Sequence, residues 1–277
     1  MLLTTAVKLA YAAAIVASLG VLAAPAFRAQ IAGSTGSSQK ETAQSTVPVL
    51  VELFTSEGCS SCPPADAFLS RLDSAKTLGG AEVIALEEHV DYWDHLGWRD
   101  PFSSPQWTFR QQEYATALNS NGIYTPQMVV DGASELIGSR EGQARHAIVE
   151  ASLQQKTPIQ IRAAAPTPSS VHLEILVHAF PANVAAKKAK VYVAITERGL
   201  HTSVRGGENA GDDLHHSEVL RTLHVAGNAV SGKDPSYTGE QNVELSSGWN
   251  RANLRFVVFL QDPKTLHVIG AAATSIP

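Results

Sequence analysis

From Val47 onward the chain shows two kinds of hydrophobic pattern in succession. Val47 to Phe54 is a nearly continuous apolar run interrupted by Glu52, which predicts a strand buried on both faces. Ala65, Phe68, Leu69 and Leu72 then recur at helical spacing, and Gly79-Gly80 stops that helix. Val83 to Val90 supplies a second strand. Ser104-Pro105 reads as an N-cap with proline at the first helical position, opening a helix to about Asn119 with Trp107, Tyr114 and Leu118 on its inner face. Tyr124 to Gly132 is a strand that ends at an Asp-Gly turn and returns through Glu135 to Ile137 as a hairpin. A last helix, from about Arg140 to Gln154, buries Ala144, Ala147, Ile148 and Ala151.

After Thr157-Pro158 the period changes to that of alternating strands: Ile159 to Ala164, Val171 to Ala179, Lys190 to Glu197, Glu218 to Val225, Gln241 to Leu245, Leu254 to Gln261 and Leu266 to Ala273. Short strands separated by Gly, Pro, Ser and Asn clusters predict an all-β, sandwich-like domain over residues 157–277. Gly206 to His216 is a polar excursion between two of these strands. His215 and His216 with Asp212 and Asp213 offer metal ligands, but consecutive side chains of extended backbone point to opposite faces, and an ordinary loop is the simpler reading.

The chain begins with one lysine, Lys8, an apolar stretch from about Leu9 to Ala24, and Ala24-Pro25-Ala26. That is the layout of a secretory signal peptide over residues 1–26, with an uncleaved membrane anchor as the alternative. Residues 27–46 are poor in apolar side chains and predict a flexible tether. The expected location is therefore exported, periplasmic or secreted, with membrane contact only through an uncleaved N-terminal segment. With 21 Lys and Arg against 26 Asp and Glu, the net charge of −5 excludes general nucleic-acid binding. Lys187, Lys188 and Lys190 fit a solvated turn.

Chemistry concentrates at Cys59-Ser-Ser-Cys62, the two cysteines of the chain, placed between the first strand and the first helix. Free N–H groups and the dipole of a helix N-terminus stabilise a thiolate, which makes Cys59 the expected nucleophile and Cys62 the resolving thiol. Ser60 and Ser61 add no cation or aromatic ring, so the direction of electron flow is open. A structural disulfide is one alternative, although a bridge between residues three apart constrains little chain. A Cu(I) site using both cysteines and His89 is another. The stretch from His89 to Phe102 is dense in polar and aromatic residues; His89 and Trp93 are expected nearest the cysteines, with His89 or Asp91 as a proton shuttle, or else as loop packing.

The order strand, helix, strand, helix, hairpin, helix, with Cys-x-x-Cys at the first turn and Thr125-Pro126 opening the hairpin, resembles the thioredoxin fold. The resemblance implies an α/β thioredoxin-like domain over residues 47–156. It also implies that Pro126 is cis beside the dithiol, exposing the backbone of Thr125 as a dock for a substrate strand; a trans proline opening an edge strand is the plain alternative. By the same resemblance Glu52 is the buried acid that relays the Cys62 proton, or else it faces water at a strand edge. Glu52 to Asp66, His89 to Asp94, and Gly207-Glu208-Asn209 with Val219-Leu220-Arg221 look like a family of predicted secreted bacterial proteins bearing a domain-of-unknown-function label. That likeness supports the fold more than an activity.

The leading expectation is an exported thiol–disulfide oxidoreductase without a cofactor, acting on a disulfide-containing protein or a small-molecule thiol together with a redox partner. The alternatives are a non-catalytic binding or assembly protein with a structural disulfide, and a Cys/His copper-binding protein.

Overall fold

A computed structural model describes residues 46–276. The predicted signal peptide, and the tether apart from Thr46, lie outside the described residues. Among the described residues no helix is long and apolar enough to cross a membrane.

The first half runs β1 (Val47–Thr55), α1 (Pro63–Ala75), β2 (Thr77–Leu78), β3 (Ala81–His89), α2 (Pro105–Ala117), β4 (Gln127–Val130), β5 (Ser134–Ile137) and α3 (Glu141–Ser152). The second half is β6 (Ile159–Thr167), β7 (Ser170–Val177), β8 (Lys188–Glu197), β9 (Leu200–Ser203), β10 (Asp213–His216), β11 (Val219–Val230), β12 (Tyr237–Glu244), β13 (Leu254–Gln261) and β14 (Val268–Ser275). Helix α2 starts where its cap predicts: Ser104 Oγ accepts from the Gln106 N–H at its head, with Pro105 behind it.

Pairing of these strands overturns the expectation of an α/β thioredoxin-like domain followed by a separate β-sandwich. The molecule is mostly β, and its main sheet has nine strands in the order β14-β13-β8-β11-β3-β1-β4-β5, with β2 on β3. The two halves meet where β11 lies parallel to β3: Val219 registers with Glu87, and the Glu87 N–H donates to the Glu218 carbonyl at 2.9 Å. Periodicity located most of the strands, missing the short β2, β9 and β10, of which β10 lies in the stretch read as an ordinary loop; it carried no information about which edge each would join. The free edge of β3, which would close off a self-contained first domain, is instead filled by a strand from the second half. The remaining strands form a three-stranded sheet, β12-β7-β6, and a two-stranded ribbon, β10-β9. Residues 46–276 are one compact unit.

Both faces of the main sheet are covered, which is why β1 and β3 read as continuous apolar runs. Val49, Val51 and Leu53 point toward α1 and α3, meeting Phe68, Leu69, Leu72, Ala144 and Ile148. On the opposite face Leu50, Ile84 and Leu86 pack with Trp107 of α2 and with Val257, Phe259 and Val268. The three-stranded sheet lays Val171, Leu173, Ile175 and Val177 against Val191, Val193, Phe256 and Val258, so face-to-face packing of two sheets does occur in the second half.

Asp131 ties these layers together. Its N–H donates to the Leu50 carbonyl, its Oδ1 accepts from the Leu50 N–H, its Oδ2 accepts from Lys156 Nζ, and its carbonyl accepts from the Val268 N–H. Gly132 follows with φ +61, and a Cβ there would lie 1.9 Å from the Leu266 carbonyl oxygen. Gly132→Ala is expected to cost more than about 1 kcal/mol of unfolding free energy, since both the dihedral and the space exclude a side chain. Because the halves share a sheet, calorimetry of the wild type should show a single cooperative transition; two resolved transitions would contradict the shared sheet.

Candidate functional site

Cys59 and Cys62 are joined by a disulfide in the turn between β1 and α1. The turn is set by backbone bonds, Cys59 N–H to Ser56 O and Cys62 N–H to Cys59 O. Cys62 is the N-cap of α1, with Pro63 and Pro64 following. Two prolines remove two of the N–H groups that a helix start would present, and the next two, of Ala65 and Asp66, both donate to the Cys62 carbonyl. The helix head therefore lacks the free donors expected to stabilise a thiolate. Charged groups bonded to this turn are acids: Ser60 donates from N and Oγ to Glu208 Oε2, and the Glu57 N–H donates to Asp100 Oδ2.

Both cysteines are 0% exposed. The turn that carries them is bonded to residues 204–212, the loop between β9 and β10. Asn209 Nδ2 donates to the carbonyls of Glu57 and Cys59 at 2.9 and 3.1 Å, and Glu208 holds Ser60. The loop also presses on the turn at Gly97-Trp98: a Cβ at Gly206 would sit 2.3 Å from the Gly97 carbonyl oxygen. The stretch read from sequence as a polar excursion is a loop bonded to the disulfide turn, followed by strand β10.

Thr125-Pro126 is a cis peptide bond, as the resemblance implied. Pro126 and Ala65 of α1 flank Gly138, whose missing Cβ would lie 3.5 and 3.1 Å from theirs, so the proline stands near the first turn of α1. Trp93 links the two regions: its Nε1 donates to Thr125 Oγ1 at 2.9 Å, and its Cβ would lie 3.1 Å from a Cβ at Gly58. Asp91 accepts from Thr108 Oγ1 and serves loop packing.

Beside the disulfide turn lies a buried row of acids and imidazoles. His89 Nδ1 is 2.7 Å from Asp100 Oδ2, His216 Nδ1 is 2.7 Å from Glu87 Oε1, and His216 Nε2 is 3.1 Å from Glu57 Oε1. The ring centroids of His89 and His216 are 4.7 Å apart, and the Phe102 ring packs edgewise on both. Burial alone would depress His216, but Glu87 and Glu57 outweigh it and raise its pKa to about 9. Burial likewise works against ionised Glu87, yet the charge of His216 brings it down to about 2. Asp66, bonded by Thr55 Oγ1, is pushed up to about 7 by burial and by the Glu87 charge.

Glu52 is fully buried, but its partners lie on α2. Arg110 Nε donates to Glu52 Oε1 at 2.6 Å, and Tyr114 Oη donates to Glu52 Oε2. The guanidinium sits over the rings of Tyr114, Tyr192 and Phe259. Glu88 adjoins this pair, and burial together with Glu52 raises its pKa well above the ordinary range. Glu52 is thus occupied by an ion pair, and the buried acids bonded to the disulfide turn or packed next to it are Glu57, Asp66 and Asp100. Sequence reasoning missed these three, along with Glu87, and it set His216 aside as part of an ordinary loop. The alternation of Leu214-His215-His216, buried-exposed-buried in β10, was the signal that one of the paired histidines points inward.

A family model described as "Protein of unknown function (DUF1223)" matches residues 50–261. No curated protein matches the sequence. Among solved structures, an X-ray crystal structure of a protein from Agrobacterium tumefaciens is 27% identical, with a TM-score of 0.63 over 83% of this chain and 95% of that one. HBP35 of Porphyromonas gingivalis is similar in fold, at 15% identity and a TM-score of 0.61, over 83% of this chain and 76% of that one.

Arg110→Ala leaves Glu52 buried without its counter-charge. The expected loss is about 3–5 kcal/mol in denaturant unfolding, and an Arg110→Met/Glu52→Met pair should recover most of it. A cost below about 1 kcal/mol for the single variant would show that the pair contributes nothing to the fold.

Proposed function

The chain belongs to the family described as Protein of unknown function (DUF1223), and within it we propose a thiol–disulfide redox protein whose dithiol is gated by the 204–212 loop. The observation that carries this reading is a disulfide closing a ring between residues three apart. Such a ring restrains little of the unfolded chain, yet a loop about 150 residues away is anchored to its turn. Its polar anchors are hydrogen bonds to the disulfide's own turn, so opening the loop breaks these bonds and its packing on Gly97-Trp98 while leaving the main sheet intact. The N-terminal segment supports placing this chemistry outside the cytoplasm.

Direction follows from the surroundings. A strongly oxidising couple needs a stabilised thiolate, whereas here the helix-head donors are spent and the neighbouring charges are acidic. The reduced form is therefore the less stable one, and the pair donates electrons. With the loop lifted, the Cys59 thiolate attacks one sulfur of a substrate disulfide and expels the other as a thiolate. Cys62 then attacks Cys59 Sγ, releases the second substrate sulfur and closes the Cys59–Cys62 bond. Two electrons pass to the substrate, the protons of the dithiol end on the released thiols, and an upstream dithiol reductant restores the pair. Thr125, beside the cis Pro126, offers the backbone for docking the substrate segment.

The complete burial of both sulfurs favours a second reading, a partner-binding protein with a structural disulfide. Asn209→Ala separates the two. It removes two hydrogen bonds of about 1 kcal/mol each, so reduction of the full chain by a small dithiol should accelerate about tenfold or more. Adding Cys62→Ser should then accumulate mixed disulfides at Cys59. If Asn209→Ala is reduced as slowly as wild type, and Cys59→Ser/Cys62→Ser merely lowers the melting temperature, the bridge is structural.

A further inference from the structure

Glu87 and His89 lie on β3 and His216 on β10, and their ligand atoms converge within 4.8 Å of one another with all three side chains buried. Two imidazole nitrogens address one carboxylate oxygen: His216 Nδ1 at 2.7 Å and His89 Nε2 at 3.4 Å from Glu87 Oε1. The far side of each ring is held by another carboxylate, Asp100 on His89 Nδ1 and Glu57 on His216 Nε2. Such outer carboxylates fix ring orientation and raise the basicity of metal-ligating histidines. Glu87 Oε2 is in turn fixed by the Ser217 N–H at 2.7 Å.

His89 Nε2 has no hydrogen-bond partner, although it is wholly buried and aimed at Glu87. A buried nitrogen with nothing to bond is costly, and an ion between it and the carboxylate removes that cost. Charge points the same way. Glu57, Glu87 and Asp100 surround the two imidazoles in a dry site walled by Phe102, and a dication bound by the deprotonated rings offsets those carboxylates in place of the protons the rings otherwise hold.

We propose that Glu87, His89 and His216 bind one divalent transition-metal ion of the zinc(II) class. Two nitrogens and one carboxylate oxygen suit a borderline cation. Ligand atoms around a tetrahedral centre at ~2.1 Å stand about 3–3.5 Å apart; the two nitrogen-to-carboxylate separations here, 2.7 and 3.4 Å, lie close to that range. Neither cysteine takes part, which separates this site from a Cys/His copper centre. The ion would clamp β10, directly after the 204–212 loop, to β3. The proposal rests on these ligands alone and is independent of the chemistry assigned to the dithiol.

The full chain, produced with zinc supplied in the medium, should purify with about one equivalent of metal per chain. After chelation, cobalt(II) should give visible d–d bands without a thiolate charge-transfer band. Those bands should persist in Cys59→Ser/Cys62→Ser and disappear in His89→Gln and in His216→Gln. Should those histidine variants fail to fold, 15N shifts of imidazole nitrogens in wild type on adding zinc supply the same readout: two histidines move when the proposal holds. Wild type that purifies without metal and shows neither cobalt bands nor a melting-temperature rise with zinc overturns it, leaving a metal-free cage of charged histidines. So do cobalt bands that survive both histidine substitutions.

Discussion

Glu87 is the group on which the arrangement turns. It is fully buried, and an ionised carboxylate in that position costs several kcal/mol unless compensated. Its compensation comes mainly from the segment 216–218, with the imidazole of His216 on Oε1 and the Ser217 N–H on Oε2, and His89 Nε2 adds a longer ion pair at 3.4 Å; the Glu218 carbonyl accepts the Glu87 N–H. The same residue therefore satisfies its own charge and pins the second half of the chain to the edge of β3. Continuity of the nine-stranded sheet, the position of β10, and the placement of the loop against the disulfide turn all descend from that junction.

Seen from the cysteines, the junction explains why accessibility and chemistry oppose each other. The 204–212 loop rides on the β9–β10 ribbon, and β10 ends in His216, held between Glu57 and Glu87. Glu57 belongs to the disulfide turn itself and also accepts from Trp98 Nε1. The loop thus holds carboxylates against the turn that carries the buried sulfurs. Both burial and neighbouring acids disfavour a thiolate, so under the proposed function reactivity requires this loop to open.

Local pattern made much of this legible. Helix α2 begins at its expected cap and ends within two residues of the expected Asn119, α3 lies inside the predicted 140–154 span, and β13 has its predicted limits. The failure lay in long-range partnership. No periodicity tells that β11 will take the edge of β3, or that Glu52 will pair with Arg110, 58 residues away, instead of serving Cys62. Two features were readable and passed over. Pro63-Pro64 announces a helix start stripped of donors, and the inward phase of His216 follows from the alternation of its strand. What hid the candidate site was its composition from distant segments, each unremarkable alone: Glu57, Glu87-Glu88-His89, Asp100 and His216.

Some 148 residues separate Ser60 from the glutamate that accepts its hydrogen bonds. Chains are made from the N-terminus, so during synthesis β1, α1 and the cysteine pair exist well before residues 204–216 do. The linear order of the chain therefore sets an order of events: the cysteine turn is complete before Glu208, Asn209 and His216 exist, and those residues close on it in whichever redox state they find it.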